Sequence, residues 1–304
     1  MKVIIWRILI VFSLASFGIL ARKFNWIREE ARSSFADAML NLTLPPLIFV
    51  AMAAGIQWRQ LSAGFFLPLF SLTLILVTLT ATVFLRRLLM TPAQRAGTFS
   101  VLAMMPNTGF IGFPIIFSIC GKEGLAYAVL YDLGVSIAFC TVAVIVLKGG
   151  RMRGFPWKDL FNPTLVAALA GLAVNKSGIV MPTLLMEPLR TMGNATVPLA
   201  MLLMGYMIGG LTLPRKAVNW ELAMVSVIKL LLYPLAAFVL TLPFHLNAVA
   251  RTVVILEAAM PSMASTAVLV EKYGGDGEFA ATAILATTLL SMLSIPVISH
   301  FLIS

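Results

Sequence analysis

Ten apolar runs, each near the roughly 20 residues an α-helix needs to cross the hydrocarbon core of a bilayer, make up most of this 304-residue chain. They cover approximately 3–21, 36–56, 63–85, 96–120, 124–147, 163–180, 188–210, 219–243, 248–270 and 279–302. The loops between them are too short to hold a soluble domain. In lipid every backbone polar group has to find its partner inside the protein, and for runs of this length that means helices. The composition fits: 60% of residues are hydrophobic and 11% charged, where a soluble domain carries about 25% charged residues. The expected fold is therefore an all-α polytopic membrane protein. The first run lacks a small-x-small cleavage site, so it is read as a span rather than a signal peptide.

The net charge of +10 does not point to nucleic acid, because the basic residues sit between the apolar runs and not along one face. Contact with anionic lipid and the setting of topology account for them. Lys and Arg concentrate in the first, third, fifth, seventh and ninth loops. Those loops are expected on the cytoplasmic side, which puts both termini on the periplasmic or extracellular side of a bacterial inner membrane. Cys120 and Cys140 fall in or beside apolar runs and read as free thiols. His245 and His300 lie near span ends, and no Cys/His cluster has metal-ligand spacing, so no metal or cofactor is expected.

Two prolines interrupt runs long enough to span. Pro106 lies in span four and Pro261 in span nine, at matching places in the two halves. Each removes a backbone donor and frees the carbonyl four residues back, that of Leu102 and that of Glu257. Asn107 and Ser262 follow as helix-capping types, so a new half-helix can begin after each break. Gly109 and Gly112 would let another backbone come close. Such breaks persist in a membrane where they are buried in protein or line a wet cavity, and a matched pair of them marks a transporter's binding site.

The halves repeat. Asn41-x-Thr43-x-Pro45 recurs as Asn194-x-Thr196-x-Pro198, and at the same offset Ala15, Gly18 and Lys23 match Ala168, Gly171 and Lys176. At nearly that offset Ala103, Met105 and Pro106 match Ala258, Met260 and Pro261. The basic connector Lys148 to Asn162 divides the chain into repeats 1–150 and 151–304. Five spans per half is an odd number, so the second half enters from the opposite side as a 5+5 inverted repeat. The two breaks then meet near the midplane, and each following half-helix turns its positive N-terminus toward the crossing.

The segment PNTGFIGFP (Pro106 to Pro114) followed by GLAYAVLYDLG (Gly124 to Gly134) resembles the auxin efflux carrier family, in its compact prokaryotic form. The likeness continues through NPTLVAALAGLAVN, GNATVPLAMLLMG, EAAMPSMAS, EKYGGD and TTLLSMLSIP, and so covers nearly the whole chain. The resemblance implies crossed spans four and nine, as in bile-acid symporters and sodium–proton antiporters. It implies a scaffold unit (about 1–56 and 163–210), often dimeric, and a moving transport unit (about 63–147 and 219–304). It also implies carboxylate substrates such as malate, malonate or an auxin-like acid. Family members often have Asn shortly after the DLG of span five; here Val135 stands there, so a contact made through that side chain is missing.

The expected activity is elevator-type secondary or facilitative transport of a small organic anion, with no enzyme chemistry. Asn107, Thr108 and Gly109 are expected to contact the substrate from one side and Ser262 and Met263 from the other, while Asn41 either faces it from the fixed unit or holds neighbouring helices together. Asn194 is assigned to packing. Met104, Met105, Met260 and Met263 read as apolar filling around the breaks. Ionisable residues deep in spans are functional hypotheses by default. Asp132 and Glu257 are candidates to carry H⁺ or Na⁺. Lys229 is read as structural or charge-balancing, pairing with one of those acids or with substrate charge. Asp37, Glu187, Arg190 and Arg251 take interfacial places, as do most of Trp6, Trp26, Trp58, Trp157 and Trp220. Three rivals stand beside this reading. A sodium-coupled symporter of the bile-acid type would need acids and amides around the crossing. A channel would need a repeated filter. An intramembrane enzyme would need a nucleophile–base pairing that the spacing does not offer.

Overall fold

The computed structural model describes residues 2–88, 90–150, 161–210 and 219–303. Trp157, most of the basic connector, and Arg215 and Lys216 of the seventh loop lie outside those residues. The described chain is helical, with no strand among the described residues beyond one isolated bridge between Pro106 and Ser262. In order the helices are α1 (Lys2–Lys23), α2 (Ala31–Ala54), α3 (Trp58–Ala63), α4 (Leu67–Leu88), α5 (Ala93–Met104) and α6 (Thr108–Leu147). They continue with α7 (Pro163–Ser177), α8 (Thr183–Gly209), α9 (Trp220–Thr241), α10 (Ala248–Ala258), α11 (Ser265–Lys272) and α12 (Gly277–Leu302). Six helical stretches among the described residues are long and apolar enough to cross a membrane by themselves. The breaks at Pro106 and Pro261 cut their runs into α5 and α10, each too short to cross alone. The part of the fourth run after Pro106 continues into the fifth as α6, where the loop expected at 121–123 is a single residue, Gly121, at φ +64° and ψ −154°. That backbone conformation is open to glycine and strained for other residues.

Proline shapes the helices in a second way. Three π-helical turns, Met39–Thr43, Thr108–Gly112 and Ile228–Leu232, end two residues before Pro45, Pro114 and Pro234. Each proline withholds the N–H owed to the carbonyl four residues back, which lies inside the widened turn. Local widening of the ladder is one way a helix re-satisfies such freed groups in lipid. The turns carry Asn41, Thr108 and Lys229, three of the residues singled out from sequence.

The chain divides into two compact units. The first comprises residues 2–66, 109–130 and 161–210, the second 67–108, 131–150 and 219–303. In the first unit α1 packs on the C-terminal half of α8, and α2 on α7. Small residues allow the close approach. A Cβ on Gly18 would stand 2.0 Å from the Leu202 carbonyl oxygen and 2.5 Å from the Tyr206 nitrogen. A Cβ on Gly171 would stand 2.7 Å from the Phe49 oxygen and 3.3 Å from the Ala53 nitrogen. Every member of the second contact is the member of the first displaced by the sequence offset of Asn41 and Asn194. At that same offset the Thr196 hydroxyl donates to the Thr43 hydroxyl at 3.1 Å, both side chains buried.

In the second unit α5, α9 and α12 close an apolar core around Phe99, Leu102, Val225, Ile228 and Ala283. One end is tied by charge. Arg95 Nε donates to Asp276 Oδ2 at 2.6 Å, and its guanidinium lies 3.9 Å from Glu221 Oε2. Asp276 also caps α12, accepting from the Phe279 N–H at 2.9 Å. Burial works to raise the Asp276 pKa, but the Phe279 bond and Arg95 outweigh it and hold the carboxyl below its usual 3.8. A depressed folded-state pKa means stability that is present above the unfolded value and lost as pH falls through the folded one. The difference in Tm between wild type and Asp276→Asn should therefore be constant above about pH 5 and shrink below pH 3.8. Thermal unfolding in detergent across that range checks it.

Candidate functional site

The second unit holds both proline breaks, and they are paired with each other. The Asn107 N–H donates to the Pro261 carbonyl at 2.9 Å, and the Met263 N–H donates to the Met105 carbonyl at 3.0 Å. Pro106 and Ser262 face each other across this short antiparallel bridge. The carbonyls that the prolines set free are answered. Ser262 Oγ donates to the Leu102 oxygen at 2.8 Å, replacing the N–H that Pro106 lacks. The Met260 N–H donates to the Glu257 oxygen at 3.3 Å. The Ser262 N–H in turn donates to Thr287 Oγ1 on α12 at 3.2 Å. Ser262 is thus not the cap of the helix that follows: α11 begins at Ser265, with Ala264 in the cap position. Its hydroxyl is a stronger draw to an orphan carbonyl across the bridge than to its own chain. Buried polar groups at a break in lipid have no water to fall back on. Ser262→Ala should therefore lower stability by about 1–3 kcal/mol, by stranding the Leu102 carbonyl. A fall of several degrees in the Tm of the detergent-solubilised protein is the expected reading.

Asn107, Thr108 and Ser262 are buried, and Met263 is half-buried. The Thr108 hydroxyl donates to Asp132 Oδ1, and the Ser136 hydroxyl donates to Asp132 Oδ2 at 3.3 Å. Asp132 thereby fixes the residue that opens the helix after the first break. Gly109 departs from the close-approach role expected of it: a Cβ there would meet nothing within 4 Å. The glycine leaves space beside the break. Met104, Met105 and Met260 are fully buried, as apolar filling.

Lys229 and Glu257 are completely buried. Lys229 Nζ lies 3.6 Å from the centroid of the Tyr233 ring, in cation–π position. Neither Lys229 Nζ nor either carboxylate oxygen of Glu257 has a hydrogen-bond partner. The Lys229 pairing expected with Asp132 or Glu257 is not formed within 4.0 Å among the described residues, though Lys229 and Glu257 interact through space. Sequence reading missed Thr287, Ser136 and Tyr233. Thr287 lies in the TTLLSMLSIP stretch and Tyr233 four residues after Lys229, but nothing local signals their partners.

Asn41 belongs to the first unit, exposed on its π-helical turn, and Asn194 is exposed on α8. The first unit also contains a cavity of about 540 Å³ lined by Trp58, Asn175, Glu187 and Arg190 among others. Several of its polar groups are engaged within the protein, while Arg190 Nε has no hydrogen-bond partner. Arg190 pairs with Glu187 at 2.7 Å, and the Asn175 amide donates to the Met52 and Ile56 carbonyls, each at 2.8 Å. The breaks, with their buried ionisable neighbours, are therefore the better candidate site.

Residues 3–299 match a family described as membrane transport protein. An uncharacterized transporter of Methanothermobacter thermautotrophicus is 29% identical over 298 residues, covering 95% of both chains. Another from Methanocaldococcus jannaschii is 26% identical over 295 residues, again 95% of both. The family and both relatives are transporters, not enzymes. With a family match from one end of the apolar chain to the other, this protein belongs to the membrane transport protein family of the auxin efflux carriers.

Proposed function

We propose that the protein is a carrier of small organic anions, carboxylates such as malate, malonate or an auxin-like acid, which bind at the paired breaks. The observation that carries the proposal is the main-chain pairing of Asn107 with Pro261 and of Met263 with Met105. It holds the backbone of the two breaks together in one buried place. The helix that opens at Thr108 leaves its first N–H groups without a partner within that helix, and its positive dipole end favours an anion there. A buried carboxylate that leaves water unpaired costs several kcal/mol, and such fixed dipoles offset the loss. Asn107, Thr108 and Gly109 contact the anion from one side, and Ser262 and Met263 from the other. Asn107 brings a side-chain amide, and Gly109 brings room.

The equal offsets of the glycine contacts and of the Thr43–Thr196 bond support a 5+5 inverted repeat of ten spans. In that arrangement a transport unit of about 63–147 and 219–304, which includes the breaks, serves as the moving body of an elevator-type carrier. A unit of about 1–56 and 163–210 is the scaffold, and a homodimer forms through it. The charge pattern of the loops supports both termini outside a bacterial inner membrane. Ligand-induced thermal shift across mono- and dicarboxylates, with uptake into proteoliposomes, tests the reading. Absence of any shift or uptake would refute it. A narrower test is Gly109→Ala. The added methyl has space in the protein, so Tm should stay within a degree or two of wild type. Carboxylate uptake should fall about tenfold, because the methyl fills volume the substrate needs.

A further inference from the structure

We propose that Lys229 is the proton carrier of this transporter, taking up one H⁺ for each monovalent anion moved, so that the two cross together without net charge. The inference rests on the carboxylate reading above and adds the coupling ion. It starts from the environment of Lys229, on the π-helical turn of α9. The amine is fully buried, lies over the Tyr233 ring at 3.6 Å, and has no hydrogen-bond partner. Glu257, one helical turn before Pro261, is equally buried, with both oxygens bare. A lysine and a glutamate placed this deep normally close an ion pair, which would lock both in the charged form. Here the pair stays open, so no bond fixes the protonation state of either.

The other titratable groups around them are few. Tyr131 and Asp132 come from α6 and Tyr233 from α9, and all interact electrostatically with Glu257 or its neighbours. Asp132 is occupied by Thr108 and Ser136. α5 and α12 also pack on the turn that holds Lys229. Their charged residues, Arg95, Glu278 and His300, stand near the helix ends, as does Glu221 of α9. Lys229 and Glu257 are therefore the mobile elements of charge beside the breaks. With both neutral, the site carries no charge from them. One proton from water, added to the Nζ lone pair, forms a fourth bond to nitrogen and gives the site +1. An anion bound at the paired breaks then cancels that added charge. Release on the other face returns the anion and the proton, and the amine is neutral again. A lysine in this place also supplies the positive charge that a sodium ion would otherwise bring, which favours H⁺ over Na⁺ as the driving ion.

Two measurements on the full-length protein test the inference. In the first, detergent-solubilised protein in weak buffer is stepped from pH 9 to pH 6 and proton uptake is read with a pH-sensitive dye. Wild type should bind one more proton per chain than Lys229→Met. Equal uptake by the two would overturn the proposal, whatever is transported. In the second, proteoliposomes with the membrane potential clamped at zero carry an alkaline interior, and radiolabelled malonate and gluconate, acids too polar to leak through bare lipid, serve as probes. Wild type should concentrate the transported probe about tenfold per pH unit, the ratio fixed by one-to-one electroneutral coupling. Lys229→Met should lose this accumulation. Accumulation driven by a Na⁺ gradient, or retained in Lys229→Met, would overturn it. One extra proton in wild type with neither probe bound or moved would count against the carboxylate reading and leave the proton site standing. Glu257→Gln separates the partners: it should keep the extra proton, which resides on nitrogen.

Discussion

Gly205→Ala is expected to lower the Tm of the solubilised protein by roughly 10 °C, the largest stability effect of a single methyl in this chain. A Cβ at that position would stand 1.8 Å from the Ala15 carbonyl oxygen and 2.6 Å from its carbon. These are backbone atoms, so no side-chain rotation relieves the clash. α1 and α8 would have to separate along their whole shared face. Overpacking of a well-filled interior costs about 1–3 kcal/mol, and a collision with main chain belongs at or beyond the top of that range. Gly18→Ala should behave alike, since its Cβ would meet the Leu202 oxygen from the other side of the same contact. Gly109→Ala serves as the control, with open space at its Cβ. Thermal unfolding followed by tryptophan fluorescence reads all three. Wild-type stability in Gly205→Ala would mean that α1 and α8 do not pack this closely.

That contact shows what sequence can and cannot disclose. Gly18 and Gly171 were visible as a repeated pair, because an offset is a property of the string. Their partners were not, because a close approach depends on which helix lies opposite. The same division runs through the site. Pro106 and Pro261 announced two breaks, since loss of a backbone donor is local chemistry. The partner of the orphan Leu102 carbonyl is Ser262, 160 residues away, and no local rule selects it over capping its own helix. Side-chain caps form where helices begin in ordinary loops. Asn162, Asn219, Asn247 and Asp276 each accept from the N–H three residues on, as their residue types predict.

The π-helical turns fall between these cases. Three of the turns precede a proline at fixed spacing, so there the sequence holds the cause; a fourth, Phe139–Ala143, has no such proline. Whether a helix kinks, breaks or widens there depends on what its neighbours can donate. Lys229 was the hardest to place. Its depth was evident from the apolar run, and pairing with an acid was the natural expectation. In the folded chain it sits on an aromatic ring instead. That choice is made by the side chains of α9 and the turn that carries it, not by the count of charges in the spans.

The largest functional effect should come from Asn107→Asp, with carboxylate uptake reduced at least a hundredfold. The exchange keeps the shape of the side chain and changes its charge. Asn107 is 4% exposed, and its backbone N–H is committed to the bridge with Pro261, so the new carboxylate cannot leave the break. An anion bound about 4 Å away would meet a repulsion of about 4 kcal/mol at the effective dielectric typical of proteins, enough to account for a loss of that size. Asn107→Ala removes the amide without adding charge and should lose far less. Uptake by Asn107→Asp should recover in part at acid pH, because protonation of the new carboxyl removes the repulsion, whereas Asn107→Ala should show no such recovery. Initial rates in proteoliposomes, normalised to folded protein by thermal shift, make the comparison. Uptake by Asn107→Asp at the wild-type rate would place the anion somewhere other than the paired breaks, because a fixed negative charge at their centre cannot be neutral to a negatively charged cargo.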